Sequence, residues 1–126
     1  MNVYDDGHFA KHIGVEILEI TPDRVRAKLT ARQGLANRRG ILHGGAIMSL
    51  ADTMGGIGTT ANLPKGSSTT TIESKTNFIG GAREGMTIIA TATPVHRGRR
   101  PQVWQTRLET GEGKLVAIVT QTQMVL

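Results

Sequence analysis

One long, nearly uncharged segment constrains the fold more than any other part of the sequence. Between residues 44 and 62 the only formally charged residue is Asp52, and apolar residues recur at helical spacing. Such spacing predicts a helix with one face in a core. The opposite face is also small or apolar apart from Asp52, so we expect a central helix that is buried all round. The LPKG segment at residues 63–66 is expected to end it.

The segments around this helix resemble β-strands. Residues 15–20 and 24–31 are joined by a Thr-Pro-Asp turn, which predicts an antiparallel hairpin, and residues 32–43 predict an irregular loop. Beyond the helix come four extended segments, at residues 69–79, 86–96, 102–110 and 114–126. Their short connections favour an antiparallel meander. The expected fold class is therefore α+β, with an antiparallel sheet of five or six strands wrapped around one long central helix, in a single domain of residues 1–126.

Composition excludes several classes of protein. The chain has no Cys, which excludes a disulfide scaffold and a Cys-ligated metal site. Its four His residues lack the spacing of a metal-binding motif, so neither a metal nor another cofactor is expected. The polar start, where residues 5–12 predict a short helix, does not resemble a signal peptide, and no apolar run approaches the ~20 residues of a membrane span. We expect a cytoplasmic protein that does not bind membranes.

Positive charge is concentrated in one predicted turn. The net charge is +5, and His96, Arg97, Arg99 and Arg100 flank Gly98 without an intervening acid. With one Trp, one Tyr and two Phe, the chain has few rings on which nucleic-acid bases could stack, so nucleic acid is not an expected partner. A phosphate-bearing small ligand explains the turn more simply. The alternative is a solvated charged hairpin.

Asp52 and the pair Gly44-Gly45 are the candidate reactive groups. A buried carboxylate is costly unless it is paired or used, and no cation lies three or four residues away on the helix. The alternative is a structural carboxylate that is satisfied by Ser49, Thr53 or the backbone. The N–H groups at a helix start can stabilise an oxyanion, although a plain Gly-rich cap would have the same sequence.

A distance argument indicates that these groups do not act within one chain. Gly44 and Asp52 lie about 12 Å apart along a helix axis, too far for both to contact one carbonyl. Two antiparallel helices in a dimer would remove this difficulty. A sheet around one helix also leaves an open edge that invites a second chain. Because Gly is costly inside a helix, Gly55, Gly56 and Gly58 suggest the close approach of another backbone or a ligand.

A motif along the helix identifies a family resemblance. The pattern N-x5-HGG-x4-LAD runs from Asn37 to Asp52. It resembles the signature of hotdog-fold acyl-CoA thioesterases of the phenylacetic-acid-degradation (PaaI-like) family. The similarity extends to the TTIESKTNFI strand, the VHRGRR turn and the GKLVAIVTQT ending. The resemblance implies dimers with a continuous sheet, which usually pair into tetramers, and an active site at the dimer interface.

The resemblance also implies roles for four motif residues. Asp52 matches the catalytic carboxylate, which attacks the thioester carbonyl or activates a water. Gly44 matches the backbone N–H that polarises the thioester oxygen. His43 matches the histidine that lines the site, although it could simply hold the loop by a hydrogen bond. Asn37 matches the loop amide that orients the carbonyl or the nucleophile.

Further contacts to water and to coenzyme A are implied in the same way. Thr71, or Thr70 one residue earlier, matches a hydroxyl that positions the water. Some relatives also have a hydroxyl one turn after the carboxylate. This chain has Gly56 there, so the positioning of the water is left to Thr71 or Thr70. Arginines suit phosphates. The residues expected to bind the substrate or its coenzyme A moiety are Gly45, Arg97, Gly98, Arg99 and Arg100.

The expected function is hydrolysis of an aromatic or medium-chain acyl-CoA to free acid and coenzyme A, with the coenzyme A belonging to the substrate. The first alternative is a non-catalytic acyl-CoA-binding or sensor protein of the same fold, which would not need Asp52. A hotdog dehydratase or hydratase is the second, and it would pair a catalytic His with an acid in a different arrangement. Candidate pocket residues are Phe9, His12, Met48 and Met54.

Overall fold

The computed structural model describes residues 8–126, in which a sheet of six strands packs against one side of a long helix. In chain order the elements are α1 (Phe9–His12), β1 (Glu16–Thr21), β2 (Arg24–Thr30), a 3-10 turn (Gln33–Leu35), α2 (Gly44–Ala61), β3 (Thr69–Phe78), β4 (Thr87–Arg97), β5 (Pro101–Thr110) and β6 (Leu115–Val125). The predicted α+β hotdog fold is confirmed. Of the predicted N-terminal helix, residues 5–7 lie outside the described residues. Within residues 8–126 no helix has both the length and the apolar character needed to cross a membrane.

The strands form one antiparallel sheet in the order β1-β2-β4-β5-β6-β3. The predicted four-stranded meander is wrong at its first step, because β3 pairs with β6 and not with β4. The connection after β3 is not a hairpin turn. It is anchored on the loop before α2, where the Leu42 N–H donates to the Ala82 carbonyl and the Glu84 N–H donates to the Gly40 carbonyl, both at 2.8 Å. This path carries the chain from the sheet edge to its middle.

The two edge strands are β1 and β3. The unusually apolar final strand, β6, lies between β5 and β3 and is therefore paired on both sides. Strand β3 is paired only with β6, so the N–H and C=O groups along its other side have no strand partner within the described chain. The sequence predicted an open edge without assigning it to a strand; the described chain has two edges, and β3 is the edge strand that contacts Asp52 of the helix.

One face of the sheet packs against α2. The buried strand residues on this face include Val25, Ala27, Leu29, Ile88, Ala90 and Ala92. The helix contributes Ile47, Leu50, Ala51, Met54 and Ile57. The helical periodicity predicted the helix set correctly, and the alternation along β2 predicted Val25, Ala27 and Leu29, because each set recurs with the period of its own element.

The second face of α2 is not covered by the described residues. Met48 is 40% exposed, and Asp52 is exposed as well. The prediction of a helix buried all round is therefore wrong for a single chain, because the sheet covers only one side of it. Thr59, near the end of the helix, is fully buried, and its hydroxyl donates to the Gly55 carbonyl at 2.9 Å. A groove remains between α2 and the edge strand β3.

Two glycines of α2 make room for side chains of the same chain. A Cβ on Gly55 would lie 2.2 Å from Gln121 Cδ, and one on Gly58 would lie 2.8 Å from the Trp104 ring. Both partner side chains are fully buried. The expectation that these glycines admit a second backbone or a ligand is therefore wrong for Gly55 and Gly58. A Cβ on Gly56 would meet nothing within 4 Å, so that position is open.

We expect Gly58→Ala to destabilise the fold by about 1–3 kcal/mol, because the new Cβ forces a fully buried indole to move. Gly56→Ala is the matched control in the same helix, where the added Cβ meets nothing within 4 Å among the described residues and Ala is favoured over Gly by about 1 kcal/mol. Urea unfolding compares the midpoints of the two variants with the parent. Equal midpoints for the two variants would contradict the packing of Trp104 on Gly58.

Candidate active site

Helix α2 begins with one backbone N–H that has no acceptor among the described residues. The imidazole Nδ1 of His43 caps the helix by accepting from the Gly45 N–H at 2.8 Å. The N–H groups of Ala46 and Ile47 donate to the His43 carbonyl at 2.9 and 3.2 Å. Of the first four N–H groups, only that of Gly44 has no acceptor among residues 8–126. At the positive end of the helix dipole, it is a donor for a carbonyl oxygen or an oxyanion.

The His43 ring has a structural contact and one remaining nitrogen. Because Nδ1 accepts a hydrogen bond, the proton of the neutral ring lies on Nε2, which is then a donor. The side chain is exposed and lines a cavity of about 350 Å³. The other residues around this cavity are Phe9, Ile13, Gly34, Leu35, Ala36, Gly45, Ala46 and Ser49. Loop support and a ligand contact are therefore compatible roles for His43.

Asn37 organises the loop that leads into the helix. Its Oδ1 accepts from the N–H groups of Arg39 and Ile41 at 2.9 and 3.1 Å. A short side chain that bonds to the backbone a few residues ahead closes a turn. Oδ1 already accepts two hydrogen bonds. The role that the resemblance implies for Asn37, to orient the carbonyl or the nucleophile, would therefore use its Nδ2, which is a donor.

Asp52 lies two turns along α2 and is held by residues of the strands. The Thr71 hydroxyl donates to Asp52 Oδ1 at 2.6 Å, and Gln121 Nε2 lies 3.4 Å from the same oxygen. The hydroxyls of Ser49 and Thr53 donate to backbone carbonyls one turn back, at 2.7 and 2.8 Å. The alternative in which those two hydroxyls satisfy Asp52 is therefore wrong.

The carboxylate is part of a longer hydrogen-bonded chain. Thr71, and not Thr70, contacts Asp52, and the Thr71 hydroxyl accepts from Gln123 Nε2 at 2.5 Å. Gln121 and Gln123 are buried on β6. Sequence reasoning missed both glutamines. The available signal was their position on the inward face of β6, where a buried amide must find partners.

Two cavities meet at Asp52 in the groove between α2 and β3. One of about 390 Å³ is lined by Asp52, Thr53, Gly56, Ile57, Thr60, Thr69, Thr70, Thr71 and Gln123. The other, of about 300 Å³, is lined by Phe9, Met48, Ser49, Asp52, Thr53 and Ser74. Of the other predicted pocket residues, Met54 is fully buried in the core and His12 lies outside these cavities. The carboxylate thus has space on both sides.

The arginines of the basic turn have different surroundings. Arg97 donates to Asp23 Oδ1 at 2.7 Å and to the Pro22 carbonyl at 3.0 Å. Arg99 and Arg100 are exposed, and neither has an acidic partner in the described part of the chain. Of the three predicted phosphate ligands, Arg97 therefore already has hydrogen-bond partners in the β1–β2 turn.

The basic turn lies at the end of the sheet where β3 begins. Gly98 is needed at the turn, since a Cβ there would lie 2.8 Å from the Pro101 carbonyl oxygen. The Val125 N–H donates to the Arg100 carbonyl at 2.7 Å, and Val125 is paired with Thr69 across β6 and β3. Two strand spacings, roughly 10 Å, therefore separate the backbones of Arg100 and Thr69. Thr69 lines the larger of the two cavities at Asp52.

The described residues show neither a group of metal ligands nor a shifted pKa that indicates a second centre. Within residues 8–126, no three His, Asp or Glu side chains are grouped so that they could hold a metal ion. The hydrogen bond from Arg24 lowers the pKa of Glu19 and raises the pKa of Arg24. This exposed pair belongs to the β1–β2 hairpin, at the opposite edge of the sheet from β3.

Comparison with known proteins identifies the class. Residues 39–117 match the family described as the thioesterase superfamily. The crystal structure of a thioesterase from Haemophilus influenzae has a TM-score of 0.92 and 30% identity, covering 99% of this chain and 87% of that one. A mutant thioesterase from Pseudomonas aeruginosa has a TM-score of 0.92 and 25% identity, covering 99% and 90%.

A curated relative matches over the whole length. The chain is 25% identical over 126 residues to the 1,4-dihydroxy-2-naphthoyl-CoA hydrolase of Escherichia coli, covering 100% of this chain and 92% of the relative. The chain therefore belongs to the thioesterase superfamily, and it is a thioester hydrolase. This confirms the family and the enzyme class that the helix motif predicted, whereas the roles of the individual site residues remain predictions.

Proposed function

We propose that this protein is an acyl-CoA thioesterase that hydrolyses its substrate to a free acid and coenzyme A. One observation carries the proposal: helix α2 presents both a free N–H, on Gly44, and an exposed carboxylate, on Asp52. The N–H would stabilise the oxyanion that forms at the thioester carbonyl, and the carboxylate would supply the attack. The naphthoyl-CoA hydrolase of Escherichia coli supports a coenzyme A ester as the substrate class.

The carboxylate can act by either of two routes. In the first, Asp52 attacks the thioester carbonyl, the C–S bond breaks, and water hydrolyses the resulting anhydride. In the second, Asp52 takes a proton from a water that attacks the carbonyl, and the coenzyme A thiolate leaves. In both routes the Gly44 N–H holds the negative oxygen. The Nε2–H of His43 and the Nδ2 of Asn37 are further donors for orienting the thioester.

The site is completed, we infer, by a second subunit. Gly44 and Asp52 of one chain are about 12 Å apart along the helix axis, so they cannot hold the same carbonyl. Antiparallel pairing of β3 with the same strand of a second chain would continue the sheet across a two-fold axis. That arrangement would set the open face of α2 opposite its partner. It would also cover two apolar side chains near this edge that are exposed in the single chain: Ile72, which is 57% exposed, and Met48, which is 40% exposed.

Further assembly is a prediction from the resemblance, and the cellular location is a prediction from composition. A dimer of dimers and a cytoplasmic location stay predictions.

The acyl group is proposed to lie in the cavity at Asp52 that Phe9, Met48 and Ser74 line, because its volume of about 300 Å³ suits an aromatic or medium-chain group. Benzoyl-CoA and hexanoyl-CoA are therefore the probes for the experiments below. Saturable binding of these esters without thiol release would favour the non-catalytic alternative.

Gly44→Pro would remove the free N–H with little other change. Proline is favoured at the first helical position, and His43 already has the extended backbone (φ −64°, ψ 139°) that a residue before proline adopts. Gly44→Ala is the matched control, because it keeps the N–H and adds a Cβ that would lie 3.1 Å from the Phe78 ring. We expect kcat for the Pro variant to be about 10²–10³-fold below that of the Ala variant. Release of the coenzyme A thiol measures kcat, and equal values would remove Gly44 from the mechanism.

Mixing two inactive variants tests whether subunits share the site. If each site takes Gly44 from one subunit and Asp52 from the other, a dimer of one Asp52→Ala subunit and one Gly44→Pro subunit keeps one of its two sites intact. Random reassortment after co-refolding should then restore about a quarter of the parent activity. Each variant refolded alone is the control and should remain inactive. If the mixture recovers no activity although mixed dimers form, then both groups act within one chain.

The double variant Arg99→Ala/Arg100→Ala tests phosphate binding. We expect KM for the coenzyme A ester to rise about 10-fold, because two unpaired guanidinium groups are lost. The N-acetylcysteamine thioester of the same acid lacks the phosphates, so its KM should not change. Arg97→Ala is the comparison variant and should have a smaller effect, since Arg97 is paired with Asp23. An equal rise in KM for both substrates would contradict phosphate recognition by this turn.

A further inference from the structure

Two amide side chains of β6 are buried behind the Asp52 carboxylate. Gln121 is 0% and Gln123 1% exposed. Gln121 Nε2 lies 3.4 Å from Asp52 Oδ1 and 3.5 Å from the Asp52 backbone carbonyl oxygen. Gln123 Nε2 lies 2.5 Å from the Thr71 hydroxyl, which is 2.6 Å from the same Oδ1. One glutamine thus reaches the carboxylate directly, and the other reaches it through Thr71.

The chemistry of these groups determines the direction of each hydrogen bond. An ionised carboxylate only accepts, so the Thr71 hydroxyl must give its single proton to Asp52 Oδ1. The Thr71 oxygen is then an acceptor, and Gln123 must turn its Nε2 towards it. Gln121 faces two oxygens of Asp52, so it too must present its nitrogen. Oδ1 therefore receives two donors, whereas Oδ2 receives none from the described residues.

Gln121 is a costly residue at this position. Its Oε1 is buried and has no donor among the described residues. An unsatisfied buried acceptor destabilises a folded protein. The amide also occupies the space where any Cβ on residue 55 would lie, so it requires Gly55. An apolar side chain would avoid the unsatisfied acceptor. What the amide supplies instead is a donor to Asp52.

We propose that Gln121 and Gln123 are positioning residues that orient the Asp52 carboxylate and leave Oδ2 as its reacting oxygen. This inference rests on the proposed function of Asp52. Gln121 acts on Oδ1 directly, and Gln123 acts by fixing the Thr71 hydroxyl. With Oδ1 occupied by two donors, the lone pairs of Oδ2 are the ones available to a water or a thioester carbonyl.

Gln121→Met tests the direct contact, because Met is also unbranched and lacks the amide. We expect kcat for benzoyl-CoA or hexanoyl-CoA to fall about 10- to 100-fold with little change in KM. The melting temperature should not fall, because the unsatisfied acceptor is removed together with the donor. Gln102→Met is the matched control: Gln102 is 2% exposed on β5, and its Oε1 accepts from Trp104 Nε1 at 3.0 Å. It should keep the parent kcat.

The deciding measurement is kcat per folded enzyme. A fall in kcat for Gln121→Met that Gln102→Met does not show supports a positioning role. A parent-like kcat for Gln121→Met, with or without a lower melting temperature, overturns it. Asp52→Ala in the same series separates this inference from the proposed function. If Asp52→Ala keeps the parent kcat, the proposed function fails, whereas an inactive Asp52→Ala with a fully active Gln121→Met refutes only the positioning role.

A double-mutant cycle with Thr71→Val tests the indirect contact. Because Gln123 acts through the Thr71 hydroxyl, Gln123→Met should lower kcat in the parent but not in the Thr71→Val background. Gln121→Met should lower kcat in both backgrounds. Thr71→Ser keeps the hydroxyl and should restore the effect of Gln123→Met. If the losses from Gln123→Met and Thr71→Val simply multiply, Gln123 does not act through Thr71.

Discussion

The one-sided packing of α2 against the sheet is the interaction on which the rest of the structure depends. Residues such as Leu50 and Met54 are fully buried against the strands, and this burial supplies the core of the fold. The fit is close enough that Gly55 and Gly58 must lack side chains where Gln121 and Trp104 lie against the helix. Because the sheet covers only one side, the other face of α2 stays open along the edge strand β3.

The candidate site is a consequence of that open face. Asp52 lies on it within reach of β3 and β6, which hold one carboxylate oxygen through Thr71 and Gln121. The free N–H of Gly44 lies at the start of the same helix. Two turns of helix separate the two groups. Under the proposed function, a rigid helix would present both halves of a thioester-hydrolysing site and would need a second copy to bring them together. The edge of β3 that is unpaired within residues 8–126 would be the surface for that copy.

Sequence reasoning succeeded where local periodicity decides the outcome and failed where pairing over long distances decides it. The helix, its buried face and the inward residues of β2 follow from periods of 3.6 and 2. The pairing of β3 with β6 does not, because strands of similar pattern can pair in several orders. The bond of Arg97 to Asp23 joins parts of the chain that are far apart in sequence, so local spacing could not show it, and ligand binding by Arg97 stays a prediction.

By itself, the sequence determined the α+β class, the central helix and the pattern from Asn37 to Asp52 that places this chain among thioesterases, because these depend on spacing along the chain. Only the tertiary structure decided that β3 is the edge strand, that Thr71 rather than Thr70 contacts the carboxylate, and that Gln121 and Gln123 lie behind it. Hydrogen-bond partners that are about 20 to 70 residues apart are brought together by sheet order and register, and a one-residue change in register reverses which side chains face the helix.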